Sequence, residues 1–242
     1  MNALWAQTRN EVVLSLRQSE QLLVALGIPI LLLVFLSQVD LLPSSTDRPI
    51  DGLAPAMLAL AVMSSSMVSL GIGTGFERHY GVLKRLGVTP LGRPRLLGAK
   101  VMATFGTEVV QVLSLSVVAL LLGWQPNWRP GLLGLAVLLG TATFAGLGLL
   151  LAGTLSGPAN LAACNGLYLV LLLFGGIAVP ASELPGPVGT VAWCLPTGAL
   201  VEVMRAATTA AQPVGRALVV LAVWAVVTPF AAASTFRWSP SS

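Results

Sequence analysis

Charged residues are scarce in this chain. Its 242 residues include 13 Lys+Arg and 9 Asp+Glu, which together make 9% of the sequence, whereas 55% of the residues are hydrophobic. Soluble domains carry about 25% charged residues. So few charges cannot cover the surface of a soluble globular protein, and a composition this apolar also excludes intrinsic disorder. Lipid is therefore the expected solvent for most of the chain.

The residues that usually perform chemistry are equally rare. There is one histidine, His79, and there are two cysteines, Cys164 and Cys194. These numbers are too small for a disulfide framework or a zinc site. The sequence has no G-x-x-x-x-G-K-[ST] phosphate-binding loop, so ATP hydrolysis by that mechanism is not expected here. We expect no catalytic site, no metal and no cofactor in this chain, which is not predicted to be an enzyme.

The apolar residues occur in long continuous runs, which favour membrane-spanning helices of about 20 residues. Six such runs are found. They predict an all-α polytopic membrane protein with a single domain over residues 1–242 and six transmembrane helices. The predicted spans are 22–42, 53–75, 101–123, 131–155, 161–179 and 218–236.

Three segments do not fit a crossing. Residues 1–21 place apolar side chains at helical spacing with Trp5 among them, which predicts an interfacial helix. Residues 76–100 form the one long basic stretch. Residues 180–214 are interrupted by prolines, among them Pro180, Pro185, Pro187 and Pro196, so short external, re-entrant helices at one membrane face are predicted there.

The basic residues predict the orientation. With the N-terminus inside, nine of the 13 Lys+Arg residues lie on the cytosolic side and four lie outside, in agreement with the positive-inside rule. Both termini are therefore expected to be cytosolic. Because topology accounts for the basic balance, no nucleic-acid partner is expected.

The loop after the second span contains a recognisable motif, and its sequence from 77 to 90 reads ERHYGVLKRLGVTP. It resembles the loop of permease subunits of type-2 ABC exporters, the group that includes daunorubicin-resistance and polysaccharide or lipid export permeases. The resemblance extends over essentially the whole chain. The matching positions are Glu77, Arg78, Gly81, Leu83, Lys84, Arg85, Leu86, Thr89, Pro90 and Lys100.

The resemblance implies a permease subunit that moves a drug, lipid or glycan-type substrate outward across a bacterial plasma membrane, as in efflux and antibiotic resistance. ATP and Mg would be bound by separate ABC ATPase subunits, and a second permease copy, giving a homodimer or a pair with a related permease, would complete the transporter within the lipid bilayer. The family's coupling helix, here 77–90, docks on the ATPase. Val82, Leu83 and Leu86 form an apolar ridge suited to such a contact. The alternative is a solvated basic loop that only fixes topology.

Polar residues inside the predicted spans are candidates for the substrate path. Glu108 is the one ionisable residue well inside a span, and Gln111 shares its helix face at the i+3 position. In the family, spans two and five line the path. The alternative is a structural role, such as a buried hydrogen bond or close helix packing. The path candidates are Ser64, Ser65, Ser66, Glu108, Gln111 and Asn165.

Two other functions remain open from the sequence. One is an ion-coupled secondary transporter, which would need titratable groups along its path and often an internal repeat. The other is a non-transporting membrane immunity or scaffold protein. A co-purifying ATPase would distinguish the exporter from both.

The topology can be tested with reporter fusions. Fusions after Lys84 and after Arg237 are expected to report a cytosolic location, and a fusion at Arg48 an external one, because the basic residues are retained inside. The measurement is paired alkaline phosphatase and fluorescent-protein activity. An external signal at Arg237 would require an odd number of spans and would contradict the six-span topology.

Overall fold

The structure is a computed structural model that describes residues 19–38, 49–86, 93–177, 186–209 and 213–238. Within these ranges the chain is helical and has no strand, which confirms the all-α prediction. Helix α2 is continuous and contains a π-helical segment at Ser64–Ser69. The helices are α1 (Ser19–Gln38), α2 (Pro49–His79), α3 (Val82–Leu86), α4 (Arg93–Leu121), α5 (Pro130–Thr154), α6 (Gly157–Phe174), α7 (Gly186–Cys194), α8 (Pro196–Thr208) and α9 (Gly215–Thr235).

Over the described ranges, five helices are long and apolar enough to cross a membrane: α2, α4, α5, α6 and α9. The chain is thus a multi-pass membrane protein. Helix α1 contributes a shorter apolar stretch at Pro29–Gln38. The first predicted span, 22–42, extends beyond the described residues, so the total of six spans stays a prediction.

The helices differ most from the predicted spans at the start of α4 and at the end of α6. The third span was predicted at 101–123, but α4 begins at Arg93, because a helix can continue past its apolar run with exposed basic residues such as Arg95. The fifth was predicted at 161–179, but α6 runs from Gly157 to Phe174. Proline suits a first helical turn, which explains the early start at Pro158, and the positive φ of 77° at Gly176 follows the early end.

Several predictions fall partly outside the described residues. Of the predicted interfacial helix 1–21, only 19–21 are described, and they begin α1. Thr89 and Pro90 of the motif also lie outside. Within 180–214 the structure describes α7 and α8, and both are shorter than the roughly 20 residues that a crossing needs.

Helix α2 lies at the centre of the bundle. Its apolar side chains are buried along most of its length, with α1, α4, α5, α6 and α8 packed around it. Helix α5 packs on α2 on one side and on α9 on another, and the short helix α8 fits between α2, α5 and α9. The outer helices α4, α6 and α9 leave many apolar side chains exposed, as expected for surfaces that face lipid.

The contact between α2 and α5 is made by glycines. A Cβ atom built on Gly71 would lie 2.9 Å from Cα of Gly148, and one built on Gly148 would lie 2.7 Å from the carbonyl oxygen of Met67. Cβ atoms do not come so close to other heavy atoms, so the two backbones are in direct contact. Small residues allow this approach in membrane helices, where packing replaces the hydrophobic effect as the driving force.

This contact predicts a position-specific effect of adding one methyl group. Gly148→Ala should lower the free energy of unfolding by about 1–3 kcal/mol, since the methyl group meets backbone that cannot move aside easily. Gly166→Ala in α6 is the matched control, because a Cβ there meets nothing within 4 Å. Thermal unfolding of both variants in detergent provides the measurement. Equal melting temperatures would show that α2 and α5 are not in backbone contact.

Candidate functional site

The first group of candidate side chains lies where α2 ends. Arg78 is buried despite its charge. Its Nη1 donates a hydrogen bond to the carbonyl oxygen of Gly153 at 2.6 Å and a long one to that of Arg237 at 3.4 Å, and its Nη2 donates to the carbonyl oxygen of Leu155. One guanidinium therefore joins the end of α2 to the end of α5 and to the residues after α9.

These carbonyl groups need such a donor. The last carbonyl groups of a helix have no partner within the helix, and α5 ends at Thr154. The backbone N–H of Arg237 also donates to the carbonyl oxygen of Gly153, at 3.1 Å. A planar guanidinium has five N–H donors in a fixed arrangement, so Arg78 can serve several acceptors at once.

A second attachment lies next to the first. Lys100 Nζ of α4 donates a hydrogen bond to Glu77 Oε1 at 2.7 Å, and the two groups form an ion pair. Glu77 and Arg78 thus attach the same turn of α2 to α4 and to α5. We call this group, Glu77, Arg78 and Lys100 with the carbonyl groups of Gly153 and Leu155, the basal clamp.

The residues of the predicted docking ridge, Val82, Leu83 and Leu86, differ in their exposure. Gly81 has a positive φ of 73°, which forms a tight turn between α2 and α3 that glycine adopts without strain. After this turn Leu83 is fully buried, with 0% exposure, whereas Val82 is 38% and Tyr80 69% exposed. Lys84 and Arg85 are exposed, and Leu86 is half-buried. Leu83 therefore packs inside its own chain, and the accessible surface is both apolar and basic.

The second group lies inside the bundle, at the π-helical segment of α2. Glu108 of α4 has 0% exposure. Its two carboxyl oxygens are hydrogen-bonded to the hydroxyl groups of Ser66 in α2 and Thr141 in α5. One turn further along α4, Gln111 Oε1 accepts a hydrogen bond from Ser65 Oγ at 2.7 Å. We call Ser65, Ser66, Glu108, Gln111 and Thr141 the polar cluster.

Four of the six predicted path residues meet in the polar cluster: Ser65, Ser66, Glu108 and Gln111. The other two do not join it. Ser64 is half-buried beside it. Asn165 lies on the exposed face of α6, where its Nδ2 donates to the carbonyl oxygen of Leu161 at 3.0 Å.

Two further polar residues connect neighbouring helices, and the sequence did not predict these contacts. Thr141 completes the polar cluster, and Asn160 Nδ2 donates to the carbonyl oxygen of Gly71 at 2.9 Å, which joins α6 to α2. A single polar residue in or beside an apolar run was the available signal for both. Within the described ranges, no group of three or more His, Cys, Asp or Glu side chains could hold a metal ion.

Comparison with known proteins agrees with the motif. A family model described as ABC-2 type transporter matches residues 2–208. A curated protein of Bacillus subtilis (strain 168), named "Putative transport permease YvfS", is 30% identical over 149 residues. That match covers 59% of this chain, and the chain spans 59% of the length of that relative.

The basal clamp predicts that the hydrogen bonds of the Arg78 guanidinium, and not only its charge, stabilise the fold. Arg78→Leu should lower the free energy of unfolding by about 1–3 kcal/mol for each carbonyl group that is left buried without a donor. Arg78→Lys should restore stability only in part, since one ammonium group cannot reproduce the planar arrangement.

Arg95→Leu is the matched control, because Arg95 is an exposed arginine at the start of α4. Fluorescence-detected size-exclusion chromatography after heating would compare the three variants with the unsubstituted protein. If Arg78→Leu and Arg95→Leu melted together, the hydrogen bonds of Arg78 would contribute nothing to stability.

Proposed function

The chain belongs to the ABC-2 type transporter family, and from this premise we propose that it is the transmembrane permease subunit of an ATP-driven exporter. Two copies would form the membrane part, and two ABC ATPase subunits in the cytosol would bind ATP and Mg. We place it in a bacterial plasma membrane with both termini cytosolic. The family match over residues 2–208 supports the permease role, because that range contains the clamp, the polar cluster and α3.

The surface of α3 is the proposed docking site for the ATPase subunit. It combines exposed Tyr80 and Val82 with exposed Lys84 and Arg85, a mixture of aromatic, aliphatic and basic side chains typical of an interface. The half-buried Leu86 borders it. The buried side chain of Leu83 would hold α3 against the rest of the permease chain.

The basal clamp explains how a docked subunit could move the membrane helices. Helix α3 follows α2 after only two residues. Glu77 and Arg78, in the last turn of α2, are bonded to α4, to the end of α5 and to the residues after α9. A displacement of α3 would therefore be transmitted to these helices by direct bonds. ATP binding supplies the differential affinity that such a switch requires.

The substrate path is proposed along the exposed face of α6 near Asn165, with a drug, lipid or glycan-type substrate. Asn165 is the candidate whose amide lies on a helix face open to the surroundings of the chain. Glu108 and Gln111 are buried between helices of a single chain, where a substrate could reach them only after the helices separate.

The docking proposal is tested by reversing charge on the exposed side of α3. The double variant Val82→Asp, Arg85→Glu should retain at least about tenfold less ATPase subunit on the permease, since unpaired charges at an interface are costly and 1.4 kcal/mol corresponds to a factor of ten. Membrane insertion should be unchanged, because both residues are exposed. Pull-down of each co-expressed candidate ABC ATPase and the rate of ATP hydrolysis are the measurements.

Two comparisons make the result specific. Arg95→Glu reverses an exposed charge on α4 and should leave ATPase binding near normal. Leu83→Asp should instead reduce the amount of folded protein, because Leu83 is buried. Normal ATPase retention by the Val82/Arg85 double variant would show that α3 is only a topology determinant.

A further inference from the structure

The π-helical segment of α2 is an unusual local structure in the middle of a long helix. The backbone N–H of Leu70 bonds to the carbonyl oxygen of Ser65, five residues earlier. Such wide turns are rare, amount to well under 1% of residues and occur frequently at functional sites. The segment divides α2 into a first half, Pro49–Met63, and a second half, Leu70–His79.

The polar cluster is attached to this segment. Both serines that bond to α4 lie inside it: Ser65 bonds to Gln111, and Ser66 bonds to Glu108. On α4 the two partners are three residues apart and so lie on the same helix face. Glu108 also reaches Thr141 of α5, so three helices meet at the wide turn. The hydrogen bonds to α4 and the π-helical geometry therefore involve the same residues of α2.

We propose that Glu108 and Gln111 are positioning residues that hold the π-helical segment of α2, and that release of this segment to regular α-helix is a step of the transport cycle. The second part rests on the proposed function. Neither residue needs to contact the substrate for this role. They act through α2, which they fix in one of two helical registers.

Some of the neighbouring helices contact one half of α2 and not the other. A register change in the π-helical segment would therefore move one half relative to the neighbours of the other. Both halves contact α4 and α5, whereas α1 and α8 pack against the first half and α3 and α6 against the second. One residue corresponds to about 100° of rotation and 1.5 Å of rise in an α-helix. Conversion of the wide turn to α-helix would therefore rotate the second half of α2, with Glu77 and Arg78, relative to the first half and to α8.

Hydrogen-bond counting gives a sharp expectation for substitution of Glu108. The Thr141 hydroxyl group also lies 2.7 Å from the carbonyl oxygen of Val137, to which its single hydrogen can be donated. In Glu108→Gln, the amide N–H can then donate to the oxygen of Thr141, while the amide oxygen accepts from Ser66. Glutamine thus keeps the hold on the segment, whereas Glu108→Leu removes it.

The first experiment needs only the permease in nanodiscs. Hydrogen–deuterium exchange of peptides that cover residues 64–79 should be equally slow in the unsubstituted protein and in Glu108→Gln. It should be about tenfold faster in Glu108→Leu and in Gln111→Leu, because interhelical hydrogen bonds are lost. Thr107→Val is the matched control, since Thr107 of α4 bonds to the carbonyl oxygen of Ala103 in its own helix.

The outcomes are separable even if Glu108→Leu fails to fold, because Ser66→Ala removes the same bond from the α2 side and should also exchange faster. Unchanged exchange in Gln111→Leu and Ser66→Ala would overturn the inference. So would exchange in Glu108→Gln as fast as in Glu108→Leu, since the carboxylate would then be needed for its charge.

The second experiment uses the complex with its ATPase subunit, trapped with Mg-ATP and vanadate. Trapping should change exchange at residues 64–79 in the unsubstituted protein, and this response should be lost in Gln111→Leu while ATPase binding persists. A bound ATPase without a response at 64–79 would overturn the proposed transport step and leave the permease assignment intact. If no ABC ATPase bound the unsubstituted permease, the proposed function and the transport step would both fail. The exchange rates of the first experiment would still test whether Glu108 and Gln111 hold the π-helical segment of α2.

Discussion

The backbone contact between α2 and α5 at Gly71 and Gly148 is the constraint on which the other interactions depend. At this separation the short side chains of Ser66 in α2 and Thr141 in α5 both reach Glu108. The same approach brings the end of α5 within reach of Arg78. In lipid, where apolar side chains gain little by contacting one another instead of the bilayer, close packing and the hydrogen bonds that it allows determine which helices associate.

The polar contacts of α2 follow one after another along the helix, and each serves a different neighbour. The π-helical segment is bonded to α4 through Glu108 and Gln111. The carbonyl oxygen of Gly71 accepts from Asn160 of α6. The basal clamp at the end of α2 reaches α4, α5 and the residues after α9. Because an unsatisfied polar group in hydrocarbon costs several kcal/mol, these contacts fix both the rotation and the depth of α2 relative to its neighbours.

Much of the fold could be predicted from the sequence because the membrane imposes a simple rule. A long apolar run must be helical to satisfy its backbone, so α5 was predicted within one residue at each end. Side-chain direction was less predictable. The turn at Gly81 determines that Leu83 is buried and Val82 exposed. The spacing of apolar residues along a continuous helix does not predict such a turn. Likewise, the partners of Glu108 lie in other helices, so the residues that meet it depend on tertiary packing.

Under the proposed coupling through α3, transmission would require polar contacts at both ends of the second half of α2. Apolar contacts in a bilayer can slide, because lipid and side chain are nearly equivalent partners, whereas a hydrogen bond is either formed or broken. The clamp fixes Leu70–His79 to α4 and α5 at one end, and the polar cluster holds its other end in a wide turn. Under the proposed transport step, a force applied at α3 would move this half together with its bonded partners, and the helix would yield at the wide turn. Bistable elements of this kind convert small displacements into discrete states, and a continuous α-helix at the same position would transmit the rotation directly to α8.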